Sequence, residues 1–474
     1  MLETVFILPV LMGLIAFFLP ATWGRRLLVL GALSHFVLSL LAFLRLLQPG
    51  LPDYFALSPS GLLVLVVTSF LFLMVSFYTL FYMAEVEMSS EPIFNGSLLL
   101  FVAAMSMVAV ADHLIVLWIA VEATTLASAP LIMLHRSKGA LEASWKYVLI
   151  CSVGIALALL GAFFIALAME RGQVNVHLTY SALTAAAAHL DPVWLKAGFI
   201  FTLIGYGTKM GLAPMHTWLP DAHSEAPSPV SAILSGALLN CAFLGIFKSH
   251  VIMHAAGLGA FADQVLIAFG LLSILVAGFF IINQDNYKRM LAYSSIENMG
   301  VIAVGTGIGG IAAVGAMLHL IHHSLLKSSL FLESGNILLG YGTKLINKTG
   351  NMCRYMPKTM VAFLASFAGI SGLPPFGLFL SEFFIILGAL QTRHFIAGGL
   401  FAAALLLVFC GVARHVLHMS FAPCETEMLV PERAGFLLPP YMLLLASLLL
   451  CFWMPPELYN MIRQSVAAIG GIHG

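Results

Sequence analysis

The sequence predicts an all-α polytopic membrane protein, and composition, hydropathy and segment length all indicate this fold class. Of the 474 residues, 61% are hydrophobic and only 9% are charged, and the mean hydropathy is +1.01. Soluble domains carry charge on about a quarter of their residues. Apolar stretches of about 20 residues, the length that crosses the hydrocarbon core of a bilayer, recur along the chain. These properties exclude a soluble globular protein.

About 14 apolar stretches qualify as transmembrane helices by this length rule. They cover residues 2–20, 27–47, 59–83, 94–112, 113–134, 145–169, 193–220, 227–250, 262–283, 289–308, 312–340, 358–391, 396–420 and 434–454. The boundary between the fourth and fifth spans depends on Asp112 and His113 alone. The first span carries Glu3 and no basic residues before it, so we expect a retained helix and not a cleaved signal peptide.

The basic residues are divided unevenly between the predicted loops. Thirteen lysines and arginines lie after odd-numbered spans, and six lie on the opposite side. Cytoplasmic loops carry the excess of basic residues in membrane proteins. We therefore expect a multi-pass protein of the prokaryotic cytoplasmic (inner) membrane with both termini on the non-cytoplasmic side. The net charge of zero offers no basic surface to nucleic acid.

The cysteine pattern predicts neither a cofactor nor a metal. Iron–sulfur clusters and structural zinc sites need clustered thiolates. Here the cysteines are scattered along the chain with no CxxC pair, at Cys151, Cys241, Cys353, Cys410, Cys424 and Cys451.

The seventh and twelfth spans are both long and interrupted. Glycine and proline break the seventh near Gly211 and Pro214, and the twelfth between Gly372 and Gly377. Paired interruptions of this kind are typical of transporters built from inverted repeats, whereas the alternative is two unrelated proline kinks. The repeat interpretation divides the chain into N-terminal helices at 1–93, a first repeat at 94–250, a second repeat at 262–420 and a last helix at 434–454.

Four charged residues are predicted inside the membrane, where each costs roughly 2.5–3.5 kcal/mol at a helix centre. Glu122 lies in the fifth span and Lys209 at the first interruption, while Lys327 lies in the eleventh span and Glu382 after the second interruption. The opposite charges of Glu122 and Lys209 favour a pair that keeps both ionised. The alternative for Lys209 is a side chain that snorkels from a helix end to the membrane surface.

The eleventh span contains a stripe of titratable side chains. His319, His323 and Lys327 follow one another at four-residue spacing and share a helix face, with His322 beside them. Histidine titrates near neutral pH and both accepts and donates protons, which suits a proton relay. Two alternatives stay open: a metal site, although no carboxylate or cysteine accompanies the histidines at ligand spacing, and a structural hydrogen-bonded cluster.

Other polar residues collect near the cytoplasmic ends of the spans. Asp221 and His223 follow the first interruption. Glu297 in the tenth span has two interpretations, a second-repeat counterpart of Glu122 or a polar contact between helices. Both interpretations of Glu297 stay open.

Four segments resemble the signature segments of a known family. They are TKMGLAPMHTWLPDAHSEAPSPVSAILSG, NYKRMLAYSSIENMG, HLIHHSLLKSSLFLESGNI and GLPPFGLFLSEF. Similar segments occur in the antiporter-like proton-translocating membrane subunits of respiratory complex I, multisubunit Na⁺/H⁺ antiporters and group-4 nickel–iron hydrogenases. The resemblance covers roughly residues 60–420. ALEASWKYVLICSVGIALALLG and FLESGNILLGYGTK resemble the hydrogenase-4 component F or formate hydrogenlyase type.

The resemblance implies about fourteen core helices, two inverted five-helix repeats with broken helices 7 and 12, and a hydrated axis of charged residues. The residues that match the family's proton-transfer positions are Glu122, Lys209, His319, His323, Lys327 and Glu382. One position departs from the pattern, because Asn240 stands in the eighth span where complex I members often have lysine. An asparagine does not bind and release a proton, so this step would need water or Lys248.

The function implied is a proton-translocating membrane subunit of a redox-driven complex, not catalytic by itself. Its expected partners are other membrane subunits, a soluble redox arm of the nickel–iron hydrogenase or dehydrogenase type, and lipid. Two alternatives stay open: a subunit that exchanges Na⁺ for protons, and a passive membrane anchor for a soluble oxidoreductase arm.

Overall fold

The structure is a computed structural model that describes residues 1–86, 90–424 and 428–470. Its α-helices are α1 (Thr4–Ala16), α2 (Ala21–Phe43), α3 (Pro59–Glu85), α4 (Glu91–Val110), α5 (Leu114–Ile132), α6 (Lys138–Arg171), α7 (Tyr180–Ala185), α8 (Pro192–Met210), α9 (Trp218–Glu225) and α10 (Ser228–Ile233). A π-helical turn, Leu234–Leu238, joins α10 to α11 (Leu239–Ala255). There follow α12 (Gly259–Ile282), α13 (Tyr287–Ile308), α14 (Gly310–Tyr341), α15 (Met352–Tyr355), α16 (Pro357–Ile370), α17 (Gly377–Gln391), α18 (Phe395–Phe421), α19 (Ala434–Phe452) and α20 (Pro456–Ala467).

The all-helical, multi-pass membrane prediction is confirmed. Within the described residues, nine helices are long and apolar enough to cross a membrane, counting α10 and α11 as one continuous helix. Three shorter apolar helices, α1, α16 and α17, accompany them. The short helices α7 and α15 and the C-terminal helix α20 were not predicted.

Side-chain caps mark the starts of α5 and α6. The predicted boundary between the fourth and fifth spans is confirmed, because α4 ends at Val110 and α5 begins at Leu114. The His113 side chain caps α5 by accepting a hydrogen bond from the amide of Ile115 at 3.2 Å. Helix α6 begins seven residues before the predicted span, since Ser137 caps it by accepting from the amide of Ala140 at 3.0 Å.

Both predicted interruptions coincide with helix ends. Helix α8 ends at Gly211 with φ +84°, and the chain between α16 and α17 passes through Gly372 with φ +65°. Glycine adopts these left-handed conformations without steric cost. The carbonyl of Thr208, near the end of α8, accepts a hydrogen bond from Trp218 Nε1 at 2.7 Å. This carbonyl at the end of α8 is thus satisfied by protein, as it must be at membrane depth.

Two helical elements form the centre of the molecule. Helix α14 packs against α3, α10, α13, α16, α17 and α19. Residues 226–250, which span α10 and most of α11, are all buried. The polar side chains of these elements therefore lie inside the protein and not against lipid.

Two lysines near the ends of predicted spans, both included in the charge bias above, are buried. Lys288 is fully buried in the first turn of α13 and its Nζ donates to the carbonyl of Ala226 at 2.6 Å. Lys248 is 7% exposed in α11, and its Nζ donates to the carbonyl of Ala111. Leaving these two lysines out removes one basic residue from each side of the membrane, so the excess of basic residues stays on the same side.

Candidate functional site

Lys209 is the polar centre of the first half of the chain. It lies in the last turn of α8 and is fully buried, so it does not snorkel to the surface. Its Nζ donates to Thr125 Oγ1 at 2.7 Å and to the hydroxyl of Tyr147 at 2.6 Å. The same Nζ lies 4.6 Å from the centroid of the Tyr147 ring. A buried ammonium held by hydroxyl groups and a π face is suited to releasing and rebinding a proton.

Glu122 and Lys209 are joined through a hydroxyl group and do not form a direct ion pair. Thr125 Oγ1 donates to Glu122 Oε2 at 3.3 Å while it accepts from Lys209 Nζ. Ser152 donates to the other carboxylate oxygen, Oε1, at 2.7 Å. The predicted pair is therefore bridged by Thr125, which lies three residues after Glu122 on α5 and is the residue that reaches Lys209.

A chain of aromatic rings leads from Lys209 toward α14. The Trp218 ring centroid lies 4.9 Å from that of Tyr147 and 6.0 Å from that of His223. His223 is fully buried, and its ring lies 5.6 Å from that of Phe331 in α14. Nδ1 of His223 donates to the carbonyl of Leu219 at 3.0 Å, whereas Nε2 has no partner among the described residues. His223 therefore connects the first interruption to the central helix.

The predicted stripe lies on one buried face of α14. The rings of His319 and His323 are nearly parallel, at 10°, with centroids 6.5 Å apart. Neither ring nitrogen of His323 has a hydrogen-bond partner in the described part of the chain. Lys327 Nζ donates to the carbonyl of Leu291 at 2.9 Å. The structure thus places three buried titratable groups on one face of α14 without a hydrogen bond between them in the described residues.

His322 does not belong to this stripe. Its Nδ1 hydrogen-bonds with Ser447 Oγ of α19 at 3.0 Å. A Cβ atom at Gly377, the first residue of α17, would overlap the His322 imidazole. His322 is therefore a packing contact between α14, α17 and α19.

Hydrogen bonds lead from His319 to Glu297, which lies beside Glu382. His319 Nε2 donates to Asn298 Oδ1 at 2.9 Å, and Asn298 Nδ2 donates to Glu297. Glu297 and Glu382 line one small pocket together with Ser294 and residues of α18. Glu297 and Glu382, which lie on different helices, thus face the same pocket.

Asn240 links α11 to the stripe. Its Nδ2 donates to Ser324 Oγ of α14 at 2.6 Å and to the carbonyl of Gly236 at 3.0 Å. Its Oδ1 has no partner among the described residues. Lys248 lies eight residues further along α11, about 12 Å away by helical rise. The structure therefore does not bring Lys248 to Asn240.

Asp221 lies apart from the buried groups, in a half-exposed network of ion pairs. Its carboxylate pairs with Lys146 at 3.5 Å and with Arg289 at 3.2 Å. Lys146 also pairs with Glu142 at 2.5 Å. Asp221 thus joins the starts of α6 and α13 to α9 at the mouth of the first interruption.

Glu333 and His35 are among the buried titratable residues that were not predicted from the sequence. Glu333 in α14 is fully buried, and its Oε1 accepts from Ser329 at 2.9 Å and Ser366 at 2.8 Å. His35 in α2 bonds with Ser69 and Ser106 at 2.8 and 2.7 Å. Both lie inside predicted membrane spans, so the rule that singled out Lys327 could have found them.

Comparison with known proteins gives the same fold. The family described as "NADH:quinone oxidoreductase/Mrp antiporter, TM" matches residues 111–407. A hydrogenase-4 component F homolog from Methylacidiphilum infernorum (isolate V4) is 35% identical over 353 residues, which cover 71% of this chain and 74% of the relative.

Two solved structures share the fold over nearly the whole chain. A chain of the Mrp complex from Dietzia sp. DQ12-45-1b superposes with a TM-score of 0.84 at 18% identity, covering 98% of this chain and 97% of the other. A chain of the membrane-bound sulfane sulfur reductase, an archaeal respiratory membrane complex, superposes with a TM-score of 0.86 at 20% identity, covering 98% of each chain. The resemblance recognised in the signature segments is confirmed: the chain belongs to the NADH:quinone oxidoreductase/Mrp antiporter transmembrane family.

Proposed function

We propose that this chain translocates protons as a membrane subunit of a redox-driven complex. The observation that carries the proposal is the hydrogen-bonded series Glu122–Thr125–Lys209–Tyr147, which buries a lysine and joins it to a carboxylate inside the membrane. Such groups are costly at this depth and are kept where they serve transport. Family membership and the hydrogenase-4 relative support the same function.

The proposed route has three stages. Protons enter beside the first interruption, where Asp221 and His223 lie, and reach Lys209. They then pass to the α14 stripe and leave through Glu297 and Glu382; because the Asn298 amide between His319 and Glu297 does not bind and release a proton, this last step needs water. Tyr147, Trp218 and His223 contact one another through their rings and not through hydrogen bonds. Transfer across this stage therefore needs water or side-chain rotation, which would give the route a gate.

Energy would reach the route through Glu122. This residue is half-buried on α5 and contacts Lys209 only through the hydroxyl of Thr125. A neighbouring subunit that draws Glu122 away would remove the acceptor that Thr125 uses. The proton affinity of Lys209 would then fall, because the nearby negative charge stabilises its charged form.

The two inverted repeats are part of this proposal, at 94–250 and 262–420, with 14 spans in all. Two equivalent backbone bridges support them. Residues on either side of His113 exchange hydrogen bonds with those on either side of Thr179, and residues flanking Asn286 do the same with those flanking Leu345. His113 caps α5 and Asn286 caps α13, so each bridge occupies the same place in its repeat.

The partners and orientation follow the family. Its relatives and structural neighbours are subunits of multisubunit membrane complexes. We propose that this chain binds other membrane subunits and, through them, a soluble redox arm of the hydrogenase or dehydrogenase type. The bias in basic residues supports a location in the cytoplasmic membrane with both termini on the non-cytoplasmic side.

Replacement of Lys209 by methionine tests the function. In the complex reconstituted into sealed vesicles, Lys209→Met should reduce redox-driven proton uptake to background, while subunit composition stays unchanged. Lys196→Met on the same helix is the matched control and should pump normally, since Lys196 forms no hydrogen bond or ion pair within the described residues and its Nζ lies 5.3 Å from the centroid of the Phe261 ring. Normal pumping by Lys209→Met would refute the proposal.

The same assay separates the two alternative functions. A Na⁺/H⁺ exchanger would need Na⁺ on the opposite side of the vesicle membrane for proton movement, whereas a redox-driven pump would not. A passive anchor would be unaffected when Glu122, Lys209 and Glu382 are neutralised together.

A further inference from the structure

We propose that His250, His254 and Asp263 form a binding site for a divalent transition-metal ion of the Zn²⁺ type. The Nε2 atoms of the two histidines lie 2.6 and 2.9 Å from the same oxygen, Asp263 Oδ1. All three ligand atoms lie within 4.8 Å of one another. None of these residues belongs to the proton route proposed above, so the site stands independently of it.

The turn between α11 and α12 brings the three ligands together. His250 and His254, four residues apart, share one face of the last turns of α11. Gly257 adopts φ +71° and ends α11, with the amide of Leu258 bonded to the carbonyl of Met253 at 2.9 Å. This reversal sets the first turns of α12, and with them Asp263, against the two imidazoles.

Close packing holds the ligands in position. A Cβ atom at Gly259 would lie 2.6 Å from the His254 ring, so this glycine lets the start of α12 touch the imidazole. On the other side, a Cβ atom at Gly307 of α13 would lie 2.7 Å from the carbonyl oxygen of Asp263. Glycines on two elements thus fix the backbone and the ring around the proposed site, which limits how far the ligands have to move on binding.

The chemistry of the ligands selects the class of ion. Two imidazole nitrogens and one carboxylate oxygen suit Zn²⁺ and its first-row neighbours, whereas Ca²⁺ and Mg²⁺ prefer oxygen ligands alone. With bonds of about 2.0–2.1 Å, the ligand atoms of a tetrahedral site stand about 3.3 Å apart. The observed 2.6 and 2.9 Å contacts therefore widen by less than an ångström, which rotation of the Asp263 side chain supplies.

The partial exposure of two ligands lets an ion reach the proposed site from solvent. His250 is fully buried, whereas the side chains of His254 and Asp263 are 22% and 25% exposed. Three protein ligands leave the fourth position of a tetrahedral ion open, and water or an exchangeable ligand fills it from the exposed side. A bound ion would clamp α11 to α12, the junction between the two proposed repeats. The scattered cysteines that argued against a metal have no part in this ligand set.

Zinc binding to the purified complex, prepared without a polyhistidine tag, tests the site. Isothermal titration should find one strong Zn²⁺ site in this chain. His254→Gln and Asp263→Asn should each weaken that site at least about tenfold. His189→Gln, an exposed histidine outside the cluster, is the control and should leave the affinity unchanged.

X-ray absorption at the zinc edge provides a test that needs no variant. Two imidazoles and further oxygen or nitrogen ligands at about 2.0 Å should surround the ion in the wild-type complex. Absence of a strong site, binding that persists unchanged in a His254→Gln, Asp263→Asn double variant, or a spectrum without imidazole would each overturn the proposal. The cluster would then be a hydrogen-bonded group in which one carboxylate oxygen accepts from two histidines.

Discussion

A single hydroxyl group connects Glu122 and Lys209, the two opposite charges that the sequence predicts to pair. Thr125 accepts from Lys209 Nζ and donates to Glu122, so its one proton and one of its two lone pairs are used. The arrangement separates the carboxylate and ammonium groups while keeping them electrostatically coupled. A coupling that runs through one small side chain can be cut without removing either charge.

Thr125→Val should cut this connection. The valine keeps the shape of threonine but leaves Lys209 with Tyr147 as its remaining hydrogen-bond partner, so redox-driven proton uptake should fall most of the way to background. Stability should fall by only about 1 kcal/mol, as for other hydrogen bonds inside membrane proteins. Proton uptake in vesicles and the melting temperature in detergent measure the two effects.

Thr124→Val is the matched control for this prediction. Thr124 is equally buried on the same helix, but its hydroxyl donates to the carbonyl of Val121 in its own backbone. The control variant should pump normally. Equal pumping by the two variants would contradict the proposed connection through Thr125.

Glu333 is a buried acidic residue whose part in proton transfer can be tested. Its Oε1 accepts from two serines, and its Oε2 has no partner among the described residues. Glu333→Gln keeps the volume and an acceptor for the serines, so the melting temperature should change little. Proton uptake should decrease if Glu333 carries protons between α14 and its neighbours. Glu170→Gln, an exposed acid at the end of α6, is the control; an unchanged rate in Glu333→Gln would limit this residue to a structural role.

At the scale of helical elements, glycines decide how closely the interrupted helices approach α14. Helix α17 begins at Gly377, directly against the His322 imidazole, and the preceding break contains Gly372 against the Glu382 carboxylate. Neither contact leaves room for a Cβ atom. The second interruption thus breaks the helix and also makes room for the Glu382 carboxylate.

Gly377→Ala should destabilise this contact. The added methyl group overlaps the His322 ring, so α17 or the imidazole must shift, at a cost of about 1–3 kcal/mol. The melting temperature of the solubilised complex should fall. Gly399→Ala in α18 is the control, because no atom lies within 4 Å of its Cβ position; it should stabilise by about 0.5–1 kcal/mol as an ordinary helical substitution. A Gly377→Ala protein as stable as the Gly399→Ala protein would show that the ring moves freely.

Helix positions followed well from hydropathy, whereas helix ends did not. Span boundaries at residues 112 and 113 were predicted because a charged and a polar residue interrupt an apolar run there. The start of α6 was missed by seven residues, since the amphipathic first turns of that helix are not apolar and their cap at Ser137 is a local hydrogen bond. Hydropathy also does not predict how the backbone is satisfied around a proline inside a helix. In α19, Pro440 has no amide proton, and the carbonyl of Phe436 accepts instead from Asn336 at 3.1 Å.

For the whole molecule, the question is how the two halves of the chain communicate. Asn240 on α11 donates to Ser324 on α14, one residue from His323. A π-helical turn immediately before Asn240 changes the register of the buried helix, a feature frequent at functional sites. The contact joins the half that contains Lys209 to the half that contains the stripe.

We propose that water at this contact carries protons to the α14 stripe alongside the stage of Tyr147, Trp218 and His223, and Asn240→Leu should interrupt that transfer. The leucine removes the donor to Ser324 and excludes water from the junction, so proton uptake should fall strongly while assembly is retained. Lys248→Met should leave proton uptake unchanged, because Lys248 donates to the carbonyl of Ala111 at the other end of α11. Vesicle assays of both variants measure this difference. If proton uptake were normal in Asn240→Leu and lost in Lys248→Met, the proton would have to pass through Lys248 instead.

The sequence by itself determined the membrane class, the positions of both interruptions and the spans that carry buried charge. These properties are local, since hydropathy, glycine and proline act within about one helix length. Only the tertiary structure decided which side chains meet. Lys209 reaches Thr125 across 84 residues and His322 reaches Ser447 across 125. Such contacts depend on the rotation and packing of separate helices, which close glycine contacts set and no single segment encodes.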